Sequence, residues 1–242
     1  MNIIADTHVH TIMSGHAHST LLENLNIAKE KGHKFLFVTD HSGVMSMCPD
    51  KLAYFLCLSS TLPDVYDGIR IVRGCETSII NTEAEIDFPE ELAKSSEWLI
   101  ASLHEYIFAP VGYDGTTDIW LKVAENPYID VIGHCGEKLW RFDFEKCIKK
   151  FKEYNKIVEF NSSSIGKGKI EKEDAMQIAR LCKKYDVSVV VSSDAHFAPL
   201  IGDVSESIEI LDSVGFPKDL VLNTDYDKLN EYLNNKKHVA KK

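Results

Sequence analysis

Asp6-Thr7-His8-Val9-His10 closes the first apolar run of the 242-residue chain, and the recurrence of endings like it decides the fold. Ile3 and Ile4 lead a short β-prone segment. Side chains two apart in a strand share a face, so His8 and His10 point the same way with Asp6 below them, as two imidazoles must to hold one cation. Apolar or β-branched runs recur at 3–5, 35–39, 69–72, 98–102, 129–132, 157–160 and 187–192. Most are continuous, the pattern of parallel strands covered on both faces. Helical segments separate them. Thr20 and Glu23 make a capping-box pattern before a helix at 21–31, with Gly32 suited to its end. Further helices are predicted at 117–126, stopped by Pro127, and at 143–154, where Phe144, Cys147, Ile148 and Phe151 fall at helical spacing. Segments 171–185, 205–214 and 226–233 complete the set.

Strand and helix alternating about seven times predict an α/β domain of the barrel type. No Gly/Ser/Pro-rich linker interrupts the pattern, so residues 1–242 read as a single domain. An open doubly wound sheet would want a Gly-rich phosphate turn after the first strand, and a His-rich loop stands there instead.

Composition narrows the function. Hydrophobic content of 44% and charged content of 26% are ordinary for a soluble globular protein. No run approaches the roughly 20 apolar residues of a membrane span, and the N-terminus shows neither the basic nor the apolar segment of a secretion signal. Cysteines 48, 57, 75, 135, 147 and 182 are scattered without a C-x-x-C pair, which reads as reduced thiols in a cytoplasmic protein. A formal net charge of −10 without a basic stripe argues against nucleic acid as a partner. Lys236, Lys237, Lys241 and Lys242 form a short basic tail, read as a solvated, frayed end.

The strand-closing residues carry the chemistry. After His8 and His10 come His16 and His18 in the first loop, then Thr39-Asp40-His41 and Arg73-Gly74-Cys75-Glu76. The later strands close with Ser102-Leu103-His104-Glu105, Gly133-His134, Glu159-Phe160-Asn161 and Ser193-Asp194-Ala195-His196. In an α/β barrel these ends form one rim, where functional loops gather. Taken singly, each has a bland reading: a strand-end cap, an Arg73 partner for Glu76, or a helix start for His18. Together, so many imidazoles and two carboxylates converging without a metal would be buried without partners, which is costly. His33 and His238 stand outside the pattern and read as structural or incidental.

His8-Val9-His10, His16, Thr39-Asp40-His41, Glu76, His104, His134 and Asp194-Ala195-His196 resemble the motifs of the PHP (polymerase and histidinol phosphatase) superfamily. The likeness runs from residue 6 to the last helix. It extends to His16-Ala17-His18-Ser19-Thr20-Leu21, Glu85-Ile86-Asp87, Phe108-Ala109-Pro110 and Asn161-Ser162-Ser163, stretches similar to the small YcdX-like phosphatases. The resemblance implies a distorted, TIM-like (β/α)7 barrel with three divalent metal ions on its C-terminal rim. It assigns His8, His10, Glu76 and Asp194 to one metal. Glu76 then bridges to a second held by His104 and His134, and His16, His41 and His196 hold the third. Tyr106 and Cys135 depart from the pattern at positions where Pro is expected.

Neutral imidazoles and carboxylates suit zinc first, with manganese or iron as alternatives. Three such ions against two carboxylates leave about +4, which lets an acidic protein attract a phosphate dianion. A metal-bound water has its pKa lowered to about 7, supplying hydroxide at neutral pH. The resulting expectation is a phosphatase of small phosphate monoesters, with Glu76 and Asp194 in the reacting centre. Asp40, Asp6 and Glu105 are candidates to orient imidazoles or move protons. Loops 44–50, 111–117, 138–142 and 164–169 are expected to set specificity, with Arg141, Lys167 and Lys169 as substrate-binding cations. A PHP-type diesterase or exonuclease, an amidohydrolase and a non-catalytic metal-binding module are the competing readings. Self-association is left open.

Overall fold

The computed structural model describes residues 1–43 and 51–236. Its strands are β1 (Ala5–Asp6), β2 (Phe35–Val38), β3 (Val65–Tyr66), β4 (Ile69–Ser78), β5 (Trp98–Ser102), β6 (Val131–Ile132), β7 (Ile157–Asn161) and β8 (Val189–Ser192). Seven of them run parallel in the order β1-β2-β4-β5-β6-β7-β8, while β3 pairs antiparallel with the start of β4. The helices are α1 (Leu21–Glu30), α2 (Lys51–Thr61), α3 (Glu90–Ala93), α4 (Gly112–Glu125), α5 (Phe144–Glu153), α6 (Ser162–Gly166), α7 (Lys172–Lys184), α8 (Ser205–Ser213) and α9 (Tyr226–Asn234). This is a nearly closed TIM-like barrel with helices around it.

Side-chain alternation explains why one strand set builds both core and site. Phe35, Phe37, Val72, Trp98, Ile100, Val131, Ile157 and Val190 form the buried interior cluster, plugged by Leu229 and Leu233 of α9. Their neighbours Leu36, Val38, Ile71, Leu99, Ala101, Ile132, Val158 and Val191 pack in the second cluster, beneath the helices. Two-residue steps continue the interior face upward from Phe37 to His41, from Val72 to Glu76, from Ile100 to His104, from Ile157 to Glu159 and from Val190 to Asp194. The same face is therefore apolar below and ligand-bearing above.

The barrel closes weakly between its first and last strands. Val9 bridges Ala195 and the His10 amide donates to the Ala195 carbonyl at 2.9 Å. Below them Asn223 fills the gap, donating to the Ala5 and Val191 carbonyls at 2.8 Å each and accepting from the Val191 amide at 3.2 Å. Asp6 completes the seam by accepting from the Ser193 amide at 3.1 Å, the Gly202 amide at 2.7 Å and the Ser193 hydroxyl.

Several expectations are corrected. Helix α2 and the β3–β4 hairpin were not anticipated. The 117–126 helix begins at Gly112, so most of the expected 111–117 loop is its first turns. Within 138–142 a 3-10 turn spans Lys138–Trp140, and α6 takes up the start of 164–169. Lys236 is no frayed end: its buried ammonium donates to Asp130 Oδ2 at 2.6 Å. Loop 44–50, His238 and the other tail lysines lie outside the described residues. Among the described residues no helix is long and apolar enough to cross a membrane.

Candidate metal centre

Glu76, fully inside the rim, is the hub of the site. Its Oε2 lies 3.2 Å from His8 Nε2, 3.4 Å from His10 Nε2 and 2.9 Å from His41 Nδ1. Its Oε1 faces the other way, 3.3 Å from His104 Nε2 and 3.1 Å from His134 Nε2. Asp194 Oδ1 sits 3.1 Å from His10 Nε2 and 3.6 Å from His8 Nε2. On the outer side His196 Nε2 meets His16 Nε2 at 3.0 Å, and His41 lies 5.0 Å from His16 between ring centres. The nine residues expected as ligands are thus brought together.

Three sets of donor atoms are close enough to share an ion: His8, His10 and Glu76; His41, Glu76 and His104; and His10, His41 and His196. His8 Nε2, His10 Nε2, His41 Nδ1 and Asp194 Oδ1 are all buried without a hydrogen-bond partner. Buried orphan donors and acceptors are normally costly and rare. Divalent cations shared among these sets would satisfy the four, so the residues fit the metal that the donor chemistry implies.

The remaining ring nitrogens are held from behind. His8 Nδ1 lies 2.7 Å from Glu159 Oε1, which favours the proton on Nδ1, so that the neutral ring turns its Nε2 lone pair inward. Ser14 donates to Asp40 at 2.6 Å, so it accepts from His10 Nδ1 at 2.9 Å and fixes that tautomer too. Asp40 also accepts from the Thr11 amide at 2.7 Å, the Thr11 hydroxyl at 2.8 Å and the Tyr54 hydroxyl. Ser78 Oγ is 3.0 Å from His104 Nδ1, and Glu137 Oε1 is 3.5 Å from His134 Nδ1.

Charges follow this geometry. Burial would raise the Glu76 carboxyl, but His8, His41 and His104 hold it well below the usual carboxylate range. Burial likewise opposes, and His8 and His10 overcome, to hold Asp194 low. Burial pulls His8 down, yet Glu159, Glu76 and Asp194 raise it well above the ordinary imidazole value. Against burial, Glu137, Glu76 and Glu159 raise His134 to about 9. Burial, joined by His41 and His196, pushes His10 far down.

The cluster floors a cavity of about 590 Å³. Lys167 and Lys169 line it, as do Glu105 and Tyr106. Arg141 does not: its guanidinium grips Asp174 of α7 at 2.5 and 2.6 Å and is spoken for. Asp6 serves the seam and touches no ring of the cluster. His33 is buried beside Asp6, which works to raise it, though burial keeps it low. Cys135, where Pro was expected, is buried and outside the ligand sets. Sequence reasoning missed Glu159, Ser14, Ser78 and Glu137 as supporting groups. Glu159 alone carried a signal, being a carboxylate two residues into a continuous apolar strand.

A parallel barrel whose strand ends gather imidazoles around a two-sided carboxylate belongs to the class of α/β barrels with donor clusters that could hold metal ions on the rim. Residues 6–235 match the PHP domain, and the chain belongs to that family. It is 38% identical over 237 residues to a probable phosphatase of Clostridium novyi (strain NT), covering 98% of this chain and 96% of the relative. A probable phosphatase of Thermoanaerobacter sp. (strain X514) is 38% identical over 239 residues, covering 98% and 97%. The fold is similar to a crystal structure of histidinol phosphate phosphatase from Lactococcus lactis subsp. lactis Il1403, complexed with zinc, L-histidinol and phosphate. There the TM-score is 0.58 at 18% identity, over 88% of this chain and 94% of the other.

Proposed function

We propose that this protein is a metal-dependent phosphatase that hydrolyses small-molecule phosphate monoesters at a trinuclear centre. The observation that carries the reading is the division of Glu76, one oxygen toward His8 and His10 and the other toward His104 and His134. That division suits a carboxylate shared by two ions. His8, His10, Glu76 and Asp194 would hold the first; Glu76, His104 and His134 the second; His16, His41 and His196 the third. Zinc fits this donor set first, with manganese and iron as alternatives. Such ions, when bound, supply an activated water nucleophile and Lewis-acid stabilisation of phosphoryl oxygens.

The chain's own residues do the rest. Glu159 and the Asp40–Ser14 pair hold His8 and His10 with their Nε2 lone pairs inward. Asp40 is therefore a positioning residue, acting through Ser14. The cavity walls shelter the reacting phosphate, and Lys167 and Lys169 offer cations at its edge. Two relatives named as probable phosphatases, each matched over 98% of this chain, support the same reaction class. Work in the cytoplasm is part of this reading, supported by five described cysteines that are unpaired.

The test is metal content per chain together with turnover of p-nitrophenyl phosphate and of bis(p-nitrophenyl) phosphate. About three ions per chain and faster monoester turnover are expected. A fully metallated protein inert toward monoesters with zinc, manganese and iron would overturn the proposal. Preference for the diester would move the reading to a phosphodiesterase.

A further inference from the structure

One wall of the cavity concentrates positive charge. Lys138, Lys167 and Lys169 all line it. They come from two separate loops that are locked together. Glu137 bridges Ile170 in antiparallel fashion, and the Lys138 amide donates to the Lys169 carbonyl at 2.9 Å. The amides of Lys169 and Ile170 return to the Ser164 carbonyl at 2.9 and 3.2 Å, and the Lys167 amide to the Ser163 carbonyl at 3.0 Å. The lysine-bearing backbone is fixed even where the side chains are exposed.

Two of these cations have neighbours. Lys138 pairs with Glu171 at 2.6 Å, and Lys169 Nζ lies 3.8 Å from Glu137, whose Oε1 already accepts from Ser164 at 2.8 Å. Lys167 has no ion-pair partner among the described residues. A chain of net charge −10 has acids to spare, yet leaves this cation open on the wall of the cavity that the candidate metal ligands floor. Tyr106 and Leu139, both exposed, line the same cavity, and its acids besides Glu76 and Asp194 are Glu105 and Glu137, neither of which pairs with Lys167.

We infer that the substrate carries a second anionic group, a carboxylate or a further phosphate on its leaving portion, read by Lys167 with Lys169 beside it. This rests on the phosphatase reading and narrows its substrate class. Esters with neutral tails bind through the phosphate alone, and cationic tails are repelled. Like-charge juxtaposition is an effective way to exclude a wrong ligand.

Non-hydrolysable phosphonates separate this inference from the reaction itself. Binding to the metal-loaded protein is measured calorimetrically for ethylphosphonate, 2-aminoethylphosphonate, ω-phosphonocarboxylates of increasing length, and 1,3-propanediylbisphosphonate. One of the doubly anionic probes should bind at least about tenfold more tightly than ethylphosphonate, a difference of about 1.4 kcal/mol. Whether the carboxylate or the bisphosphonate wins names the second group. The preference should fall to within about twofold in Lys167→Ala/Lys169→Ala and turn toward 2-aminoethylphosphonate in Lys167→Glu. Equal binding of all tails, or a preference that survives the double substitution, overturns the inference and leaves the phosphatase reading standing. Failure of every phosphonate to bind overturns both.

Discussion

Glu159 joins two halves of the metal centre through His8 and His134. Its Oε1 lies 2.7 Å from His8 Nδ1 and accepts from Ser192 at 2.6 Å, while its Oε2 accepts the His134 amide at 2.6 Å. His134 holds a φ of +25°, a conformation few non-glycine residues adopt, so that hydrogen bond steers a strained backbone. Glu159→Gln replaces one accepting oxygen with a donating amide and cannot serve both sides. Metal affinity, measured by calorimetric titration, should fall about 10–100-fold, as for other residues that orient ligating imidazoles. The far-ultraviolet circular dichroism of the variant should match the parent. Unchanged affinity would show that the two halves are positioned independently.

Metal loading should release protons at neutral pH. In the metal-free protein His134 is raised to about 9 and His8 is raised well above its ordinary value, so both carry protons at pH 7. A metal needs the neutral imidazole. Titration in buffers of different ionisation enthalpy should therefore show proton release that shrinks as pH climbs toward 9. Linkage sets the sign for the metal-free fold. The folded pKa values exceed the unfolded value of about 6.5, so this stabilisation is complete below about 6.5 and is lost as pH rises toward the folded values. The melting temperature of chelator-treated protein should drop between pH 6.5 and 8, while that of the metal-loaded protein should not.

The barrel was legible in the sequence, and so was the gathering of candidate ligands on its rim; the contacts that support them were not. His8, His41, Glu76, His104 and Asp194 end continuous apolar runs, and alternation alone carries them to one rim. The same alternation reaches Glu159 from Ile157, but its partners His8 and Ser192 come from other strands, so its role needed the closed barrel. Arg141 looked like a free cation because Asp174, its partner, lies on a helix far along the chain. Helix α2 hid because it is apolar on several sides: Phe55 and Leu58 are buried while Leu52 and Leu56 are exposed, which blurs the helical stripe. The tail reading failed at Lys236 for the reason that misled at Arg141, a carboxylate distant in sequence.

Asn223 fills the gap that strand pairing leaves between β1 and β8. Its side chain makes three hydrogen bonds across the gap between Ala5 and Val191, and it is fully buried. Asn223→Ala leaves two carbonyls and one amide without partners, each worth roughly 1–3 kcal/mol when buried. A loss of about 3 kcal/mol is expected in urea unfolding, with a melting temperature lower by several degrees. Because His8 and Asp194 lie on the two sides of this seam, metal affinity should weaken as well. A variant that melts early but binds metal normally would show that Val9 and Ala195 hold the rim without help from below.

Gly133 shows how tightly the strand below His134 is placed. A Cβ there would fall 2.6 Å from Ile100 Cγ2, 3.1 Å from the Ala101 carbonyl oxygen and against Ser102 Oγ. The Ser102 hydroxyl can rotate aside, but the branched Ile100 methyl and the Ala101 backbone oxygen cannot, so Gly133→Ala must push β6 away from β5. The displacement would shift His134 relative to His104, its partner on Glu76 Oε1, and would reach His8 on the other oxygen only through the Glu159 carboxylate that the two share, while His10 keeps its own support from Ser14. Overpacking of this kind costs about 1–3 kcal/mol. The expected signature is selective: one metal per chain is lost or weakened about tenfold or more, and the others are retained. Elemental analysis after dialysis against graded chelator checks it. Uniform loss of all metal would mean that the strand shift disturbs Glu76 itself, and full retention would show that the rim above Gly133 absorbs the added methyl.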